Sequence, residues 1–206
     1  MVQKRLPPLA KFACVFCAAL LLAACGRGPQ KGSPPNPEGS AEAPSTSVTL
    51  LYPDASTGFL AACPIALPLT GQAQPDMTQV ARRYLEGPVC DGQVQPFSQG
   101  TSLRALFLLD GGVVALDLTG PAASGGGSDT ETARIYGLVD TLCYNFKEIT
   151  SARILVEGRE VETLLGHLDL QRPVPPEWEL APAGLRPVGQ PLVPAPAAPS
   201  SEPPGG

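Results

Sequence analysis

Residues Leu103–Leu118 read LRALFLLDGGVVALDL, and this stretch decides the fold. Two runs rich in Leu, Val and Phe flank Asp110-Gly111. Asp-Gly between such runs is a strong local signal for an antiparallel hairpin, because the tight turn needs positive φ and glycine adopts it without strain. A two-residue turn pairs Leu109 with Gly112, Phe107 with Val114, Ala105 with Leu116 and Leu103 with Leu118. The large members of those pairs then share one face. The opposite face carries Arg104, Leu106, Leu108, Ala115 and Asp117. It is partly apolar and calls for a cover, either a loop or another subunit.

Working outward, Ser47–Pro53 (SVTLLYP) reads as a short strand stopped by Pro53. Gly58–Thr70 is apolar and extended, and Pro64 and Pro68 exclude it from a central place in a sheet. Asp76 is expected to open a helix, with Gln79 as its capping-box partner. Val80, Ala81, Tyr84 and Leu85 make the apolar stripe of that helix, and Gly87-Pro88 ends it. Beyond the hairpin, Gly120–Gly127 reads as a flexible linker. Ser128 is expected to cap a second helix, with Glu131 in the reciprocal position. Ile135, Leu138, Val139, Leu142 and Phe146 follow helical spacing and bury one side of it. Ala152–Val156 is a strand, Glu157-Gly158 a turn, and Val161–Leu170 a weaker β arm. The order is β-β-α-β-β-α-β-β. It implies an α+β domain, a mixed or mostly antiparallel sheet with two helices packed on one face.

That domain spans residues 48–178 of a 206-residue chain. Eleven of the 25 prolines lie from Pro173 onward, so residues 179–206 read as a Pro/Ala-rich disordered tail. Residues 26–47 (GRGPQKGSPPNPEGSAEAPSTS) hold no aromatic or large aliphatic side chain. They cannot bury enough apolar surface to offset ordering entropy and read as a tether. The net charge is −5. No basic patch exists to neutralise phosphates, so no nucleic-acid partner is expected.

Residues 1–24 carry the pattern of an export signal. Lys4, Arg5 and Lys11 precede the apolar run Phe12–Ala24, which is shorter than the roughly 20 residues a membrane-spanning helix needs. The run ends Leu22-Ala23-Ala24-Cys25, which resembles the lipobox of bacterial lipoproteins. That resemblance implies cleavage before Cys25 and acylation of the cysteine, with 25–47 as lipidated residue and tether. More than one acyl chain is needed for a stable anchor. Gly26, where the lipoprotein sorting rule reads Asp as inner-membrane retention, implies the outer membrane in a cell that has one. Cys14 and Cys17 form a C-x-x-C only inside the segment to be excised.

Little in the domain suggests catalysis. His167 is the only histidine, in a Gly-His-Leu-Asp-Leu context that reads as structural. There is no G-x-S-x-G elbow, no P-loop, and no spaced Cys or His pairs for zinc. Nothing in the spacing of Asp117, Glu131 and Asp169 selects a hydrolytic pair. No catalytic residue, metal ligand or cofactor is assigned. With Cys25 acylated, three cysteines remain, and an exported compartment permits a disulfide. Cys63–Cys90 is the favoured pairing, since both lie in irregular segments on either side of the first helix. The alternative leaves all three reduced. Cys143 falls on the apolar flank of the second helix as a buried thiol.

Several short stretches in order resemble the GerMN domain: Leu85-Glu86-Gly87-Pro88, Gly100-Thr101-x-Leu103, Val113–Leu118, Val139–Leu142 and Ile154–Gly158. The ending Gly166–Pro173 is similar to that of lipoprotein members of this family. The resemblance implies a compact domain with helices and strands and a location in the cell envelope. It also implies a likeness to small ring-building domains of envelope secretion machinery, and it carries over no catalytic residue. The expected function is a lipid-anchored, non-enzymatic envelope protein whose domain contacts envelope proteins or peptidoglycan. The alternatives are a peptidoglycan hydrolase or an accessory to one, and a self-assembling ring or oligomer.

Overall fold

The computed structural model describes residues 45–185. The expected export signal (1–24), the expected lipidation site Cys25, the expected tether up to residue 44, and residues 186–206 of the expected tail (179–206) lie outside the described residues.

Eight elements follow in the expected order: β1 (Thr46–Pro53), β2 (Leu60–Leu67), α1 (Ala73–Glu86), β3 (Leu103–Leu108), β4 (Val113–Leu118), α2 (Ser128–Asn145), β5 (Ser151–Val156) and β6 (Arg159–Glu160). They make an α+β fold with two sheets. β1 and β2 pair as an antiparallel ribbon, and β3-β4-β5-β6 form a mixed sheet in that order. The β4–β5 pair is parallel and its neighbours are antiparallel. A parallel pair cannot be joined by a tight turn, and α2 supplies the crossover. α2 lies against β1 and β5, α1 lies against β3, and the two helices touch each other. One continuous core joins Val48, Leu50 and Tyr52 of β1 to Val80 and Tyr84 of α1, Leu116 of β4, Leu138 of α2 and Ile154 of β5.

Pro64 lies inside β2 opposite Thr49. Thr49 turns its N–H away from β2, to Asn145 Oδ1 at 3.0 Å. The 49/64 position is therefore one where no ladder bond is due, and the missing proline N–H leaves the pairing intact.

The hairpin is present, but its register differs from expectation. The loop has three residues, Asp110-Gly111-Gly112, closed by the Leu109 N–H on Val113 O at 2.8 Å. Gly111 and Gly112 both take positive φ, 75° and 77°. The extra residue pairs Phe107 with Ala115 and Leu106 with Leu116, and an irregularity around Arg104 restores Leu103 to Leu118. A one-residue slip turns each side chain to the other face. Leu106 is therefore buried, whereas Phe107 is 55 % and Leu109 45 % exposed. The addition of a second glycine explains the longer loop, since such loops place a glycine in the left-handed region beside a bulge.

Both expected capping boxes are absent. α1 begins three residues before Asp76 and takes Pro75 in its first turn, where no N–H is needed. Asp76 turns back on the preceding loop instead, accepting from Thr70 N (2.7 Å), Thr70 Oγ1 (2.8 Å) and Gly71 N (2.8 Å). α2 begins at Ser128 with no side-chain cap, and Glu131 is buried elsewhere. Gly120–Ala123 is a 3-10 turn with Ala122 buried, where a flexible linker was expected. Residues 161–170 form bends, not a β arm, and β6 is two residues long.

Candidate functional site

The charged and polar side chains most withdrawn from water belong to α2, and each is engaged in holding the fold. The Glu131 carboxylate has no exposure and accepts four backbone N–H groups: Leu164 (2.7 Å) and Leu165 (2.8 Å) on Oε1, His167 (2.8 Å) and Leu168 (3.2 Å) on Oε2. Burial works to raise its pKa, but the four donors outweigh it and hold it below the ordinary range. These same N–H groups would have fed the β arm, which is why residues 161–170 do not pair as a strand. Three residues on, Arg134 donates to Pro96 O (2.7 Å), Ala122 O (2.9 Å) and Ser98 Oγ (3.1 Å), with the Phe97 ring 6.0 Å away. Further along, Thr141 accepts the Leu51 N–H at 2.9 Å, and Asn145 both accepts from and donates to Thr49 of β1. The open edge of β1 is thus completed by helix side chains.

Gly137 shows how closely this helix is approached. A Cβ at that position would collide with the hydroxyl of Tyr84, which stacks on Tyr52 at a 4.4 Å centroid distance. Glycine normally weakens a helix interior by about 1 kcal/mol. Here it makes room for an aromatic side chain.

The structure scatters the residues that sequence reading weighed for chemistry. Asp117 holds Arg104 at 3.0 Å and the Gly158 N–H at 2.7 Å on the outside of the sheet. Glu131 is inside, and Asp169 lies on an exposed loop with its carboxylate on the Gln171 N–H. His167 is exposed and touches Glu131 only through its backbone. Cys63 and Cys90 are joined, with Cα atoms 5.8 Å apart, so that β2 is bonded to the loop after α1. Cys143 is a buried free cysteine whose thiol is pushed up by burial and by nearby Asp140. Among the described residues no cluster of three or more His, Cys, Asp or Glu could hold a metal. A shallow depression of about 310 Å³ lies between α1 and the start of β3, lined by Arg82, Leu85, Glu86 and Thr101–Leu103.

The surface left over is the outer face of the four-stranded sheet. Register places Phe107, Ala115 and Arg153 in one cross-strand row and Ala105, Asp117, Leu155 and Glu160 in the next. Leu109 and Val113 extend it toward the hairpin tip. The two inner strands carry Ala115 and Asp117 on β4 and Arg153 and Leu155 on β5, Phe107 stands exposed on the edge strand with Leu109 beyond it, and the ion pairs Arg104–Asp117 (3.0 Å) and Arg153–Glu160 (2.8 Å) lie across the face. Sequence reading expected a half-apolar second face, but assigned it Leu106 and Leu108 where the slipped register puts Phe107 and Leu109.

The family model described as "Germane: Sporulation and spore germination" matches residues 49–162. No curated protein matches. Solved structures that share the fold include two GerMN structures. The tandem GerMN domains of the sporulation protein GerM from Bacillus subtilis match over 64 % of this chain, with 14 % identity and a TM-score of 0.53. The match spans 46 % of the length of that structure. The first GerMN domain of the same protein matches over 64 % of this chain and 97 % of its own length, with 17 % identity and a TM-score of 0.50. Over most of its described residues, from β1 to the segment after β6, the chain belongs to the Germane family of sporulation and spore germination domains.

Proposed function

We propose that the chain is a lipid-anchored protein of the bacterial cell envelope whose GerMN-type domain binds an envelope protein or peptidoglycan and catalyses no reaction. The observation that carries the binding reading is the outer face of the β3–β6 sheet, a half-apolar surface with Phe107 and Leu109 exposed and ion pairs lying across it. Large exposed aromatic and aliphatic side chains beside paired charges are the composition of a contact surface. The anchor reading rests on Leu22–Cys25 and the tether that follows, with Gly26 favouring the outer membrane where there are two.

Crosslinking the full lipoprotein in intact cells, beside a Phe107→Asp form, tests the binding reading. The native chain should capture a defined envelope component, and the variant should lose it while remaining folded. Equal capture by both overturns the assignment of the face. Release of soluble muropeptides from purified cell wall by the native chain would replace it with the hydrolase reading. Capture of further copies of the chain alone would replace it with the oligomer reading. For the anchor, palmitate labelling and membrane fractionation should both be lost in Cys25→Ala; unchanged fractionation overturns lipid anchoring.

A further inference from the structure

One buried side chain of α2 is left only half satisfied. Asp140 has no exposure; its Oδ1 accepts the Glu177 N–H at 2.9 Å, while Oδ2 has no hydrogen-bond partner. One turn earlier on the same helix, the bare backbone at Gly137 meets the Tyr84 hydroxyl, itself buried and without a partner. Leaving a neutral hydroxyl unpaired in such a site is tolerable, whereas an unpaired charge there is far more costly.

The segment that supplies the Glu177 N–H works as a strap over three elements. Val174 exchanges both backbone hydrogen bonds with Ala152 of β5, at 2.7 and 2.8 Å. Glu177 is tied to α2 through Asp140. Leu180 accepts the Leu60 N–H of β2 at 2.8 Å, and Trp178 packs half-buried against the core. Lifting residues 174–180 would bring water to Asp140.

We propose that Asp140 is a proton-locked latch for residues 174–180, shut while its carboxyl keeps a proton and released when the proton leaves. The groups facing Asp140 support this. From the strap comes the Glu177 carboxylate, which opposes a second negative charge. From α1 comes Tyr84, with Tyr52 of β1 stacked behind it, and from α2 itself come Tyr136 and Cys143. None of these is a cation. The tyrosines and the thiol are all pushed upward by burial and stay neutral over the relevant range. Burial first, opposed by the Glu177 N–H and aided by the Glu177 charge, raises Asp140 itself to about 8. In the lifted strap the same carboxyl is hydrated and ionises in the ordinary carboxylate range, about 4. One proton then links the two forms. The opening equilibrium grows about tenfold per pH unit between those limits and levels off above the upper one. The latch is independent of what the sheet face binds.

Amide hydrogen exchange on the full chain from about pH 5 to about pH 9, corrected for the intrinsic base dependence of exchange, tests it. The Glu177 and Leu180 amides should be less protected than those of β4, and their protection should fall about tenfold per pH unit up to the plateau. The single tryptophan, Trp178, should shift its emission to the red over the same range. Asp140→Asn, a neutral isostere that can still accept the Glu177 N–H, should abolish the slope. Glu177→Gln should keep the slope and bring its plateau to lower pH. The proposal is overturned if wild-type strap protection does not change with pH, if the slope survives in Asp140→Asn, or if strap and β4 amides exchange only together.

Discussion

Helices α1 and α2 touch each other, yet they are held in different ways. α1 buries an apolar stripe, Met77, Val80, Ala81 and Tyr84, and its one buried charge, Asp76, reaches back only to Thr70 and Gly71. α2 reaches far along the chain. Its polar side chains hold residues 164–168, Pro96, Ala122, Glu177, Leu51 and Thr49. α1 contributes packing, and volume is what matters there. α2 is a hub, where side chains supply hydrogen-bond partners that loops and one strand edge lack.

The comparison breaks most readily at Glu131. Glu131→Ala should leave four N–H groups of the 164–168 loop unpaired and cost about 3–4 kcal/mol in denaturant unfolding. A loss below about 1 kcal/mol would mean that the loop is held by something else. Asp140 lies on the same helix and should behave in the opposite sense, with Asp140→Asn stabilising by about 2 kcal/mol at neutral pH. The two acids also separate on a pH axis. The folded pKa of Glu131 is lowered, so its contribution is present above the ordinary carboxylate range and is lost in acid. Asp140 is raised to about 8, so its contribution is complete in acid and declines as pH rises toward that value. Stability should therefore peak in mild acid, and Asp140→Asn should flatten the alkaline side of the profile.

Smaller effects sharpen the contrast. Gly137→Ala should destabilise by about 1.5 kcal/mol, because crowding against Tyr84 outweighs the better helix propensity of alanine. Gln79→Ala on α1 should change unfolding by less than about 0.5 kcal/mol, since Gln79 has no capping bond to lose. A loss near 1 kcal/mol, the size of a working cap, would restore the capping-box reading of α1.

What could be read from the sequence was local. The element order, the stripes of both helices, the end of α1 at Gly87 and the hairpin itself all follow from spacing and turn residues. What could not be read was decided by partners far away in the chain. Glu131 and Asp76 occupy positions that suit capping boxes, but their carboxylates are drawn to loop N–H groups, one of them more than 30 residues distant. The β arm at 161–170 failed for the same reason. The hairpin register turned on a single residue, Gly112, whose Cβ-free backbone passes against Glu148 O and whose own carbonyl accepts the Thr150 N–H. A pattern of apolar residues carries no trace of that contact, so the face assigned to Phe107 and Leu109 came out inverted. The half-apolar character of the second face was legible; which side chains compose it was not.

Pro64 has a consequence beyond the pairing of β1 with β2. A ribbon of two strands exposes a row of backbone donors along its outer margin, the place where misassembled chains zip together. On β2 that margin has no donor at its middle, and one end is already taken up by Leu180. Crowded copies therefore find no continuous template there, and the ribbon resists runaway fibril growth without any charge being spent on the defence.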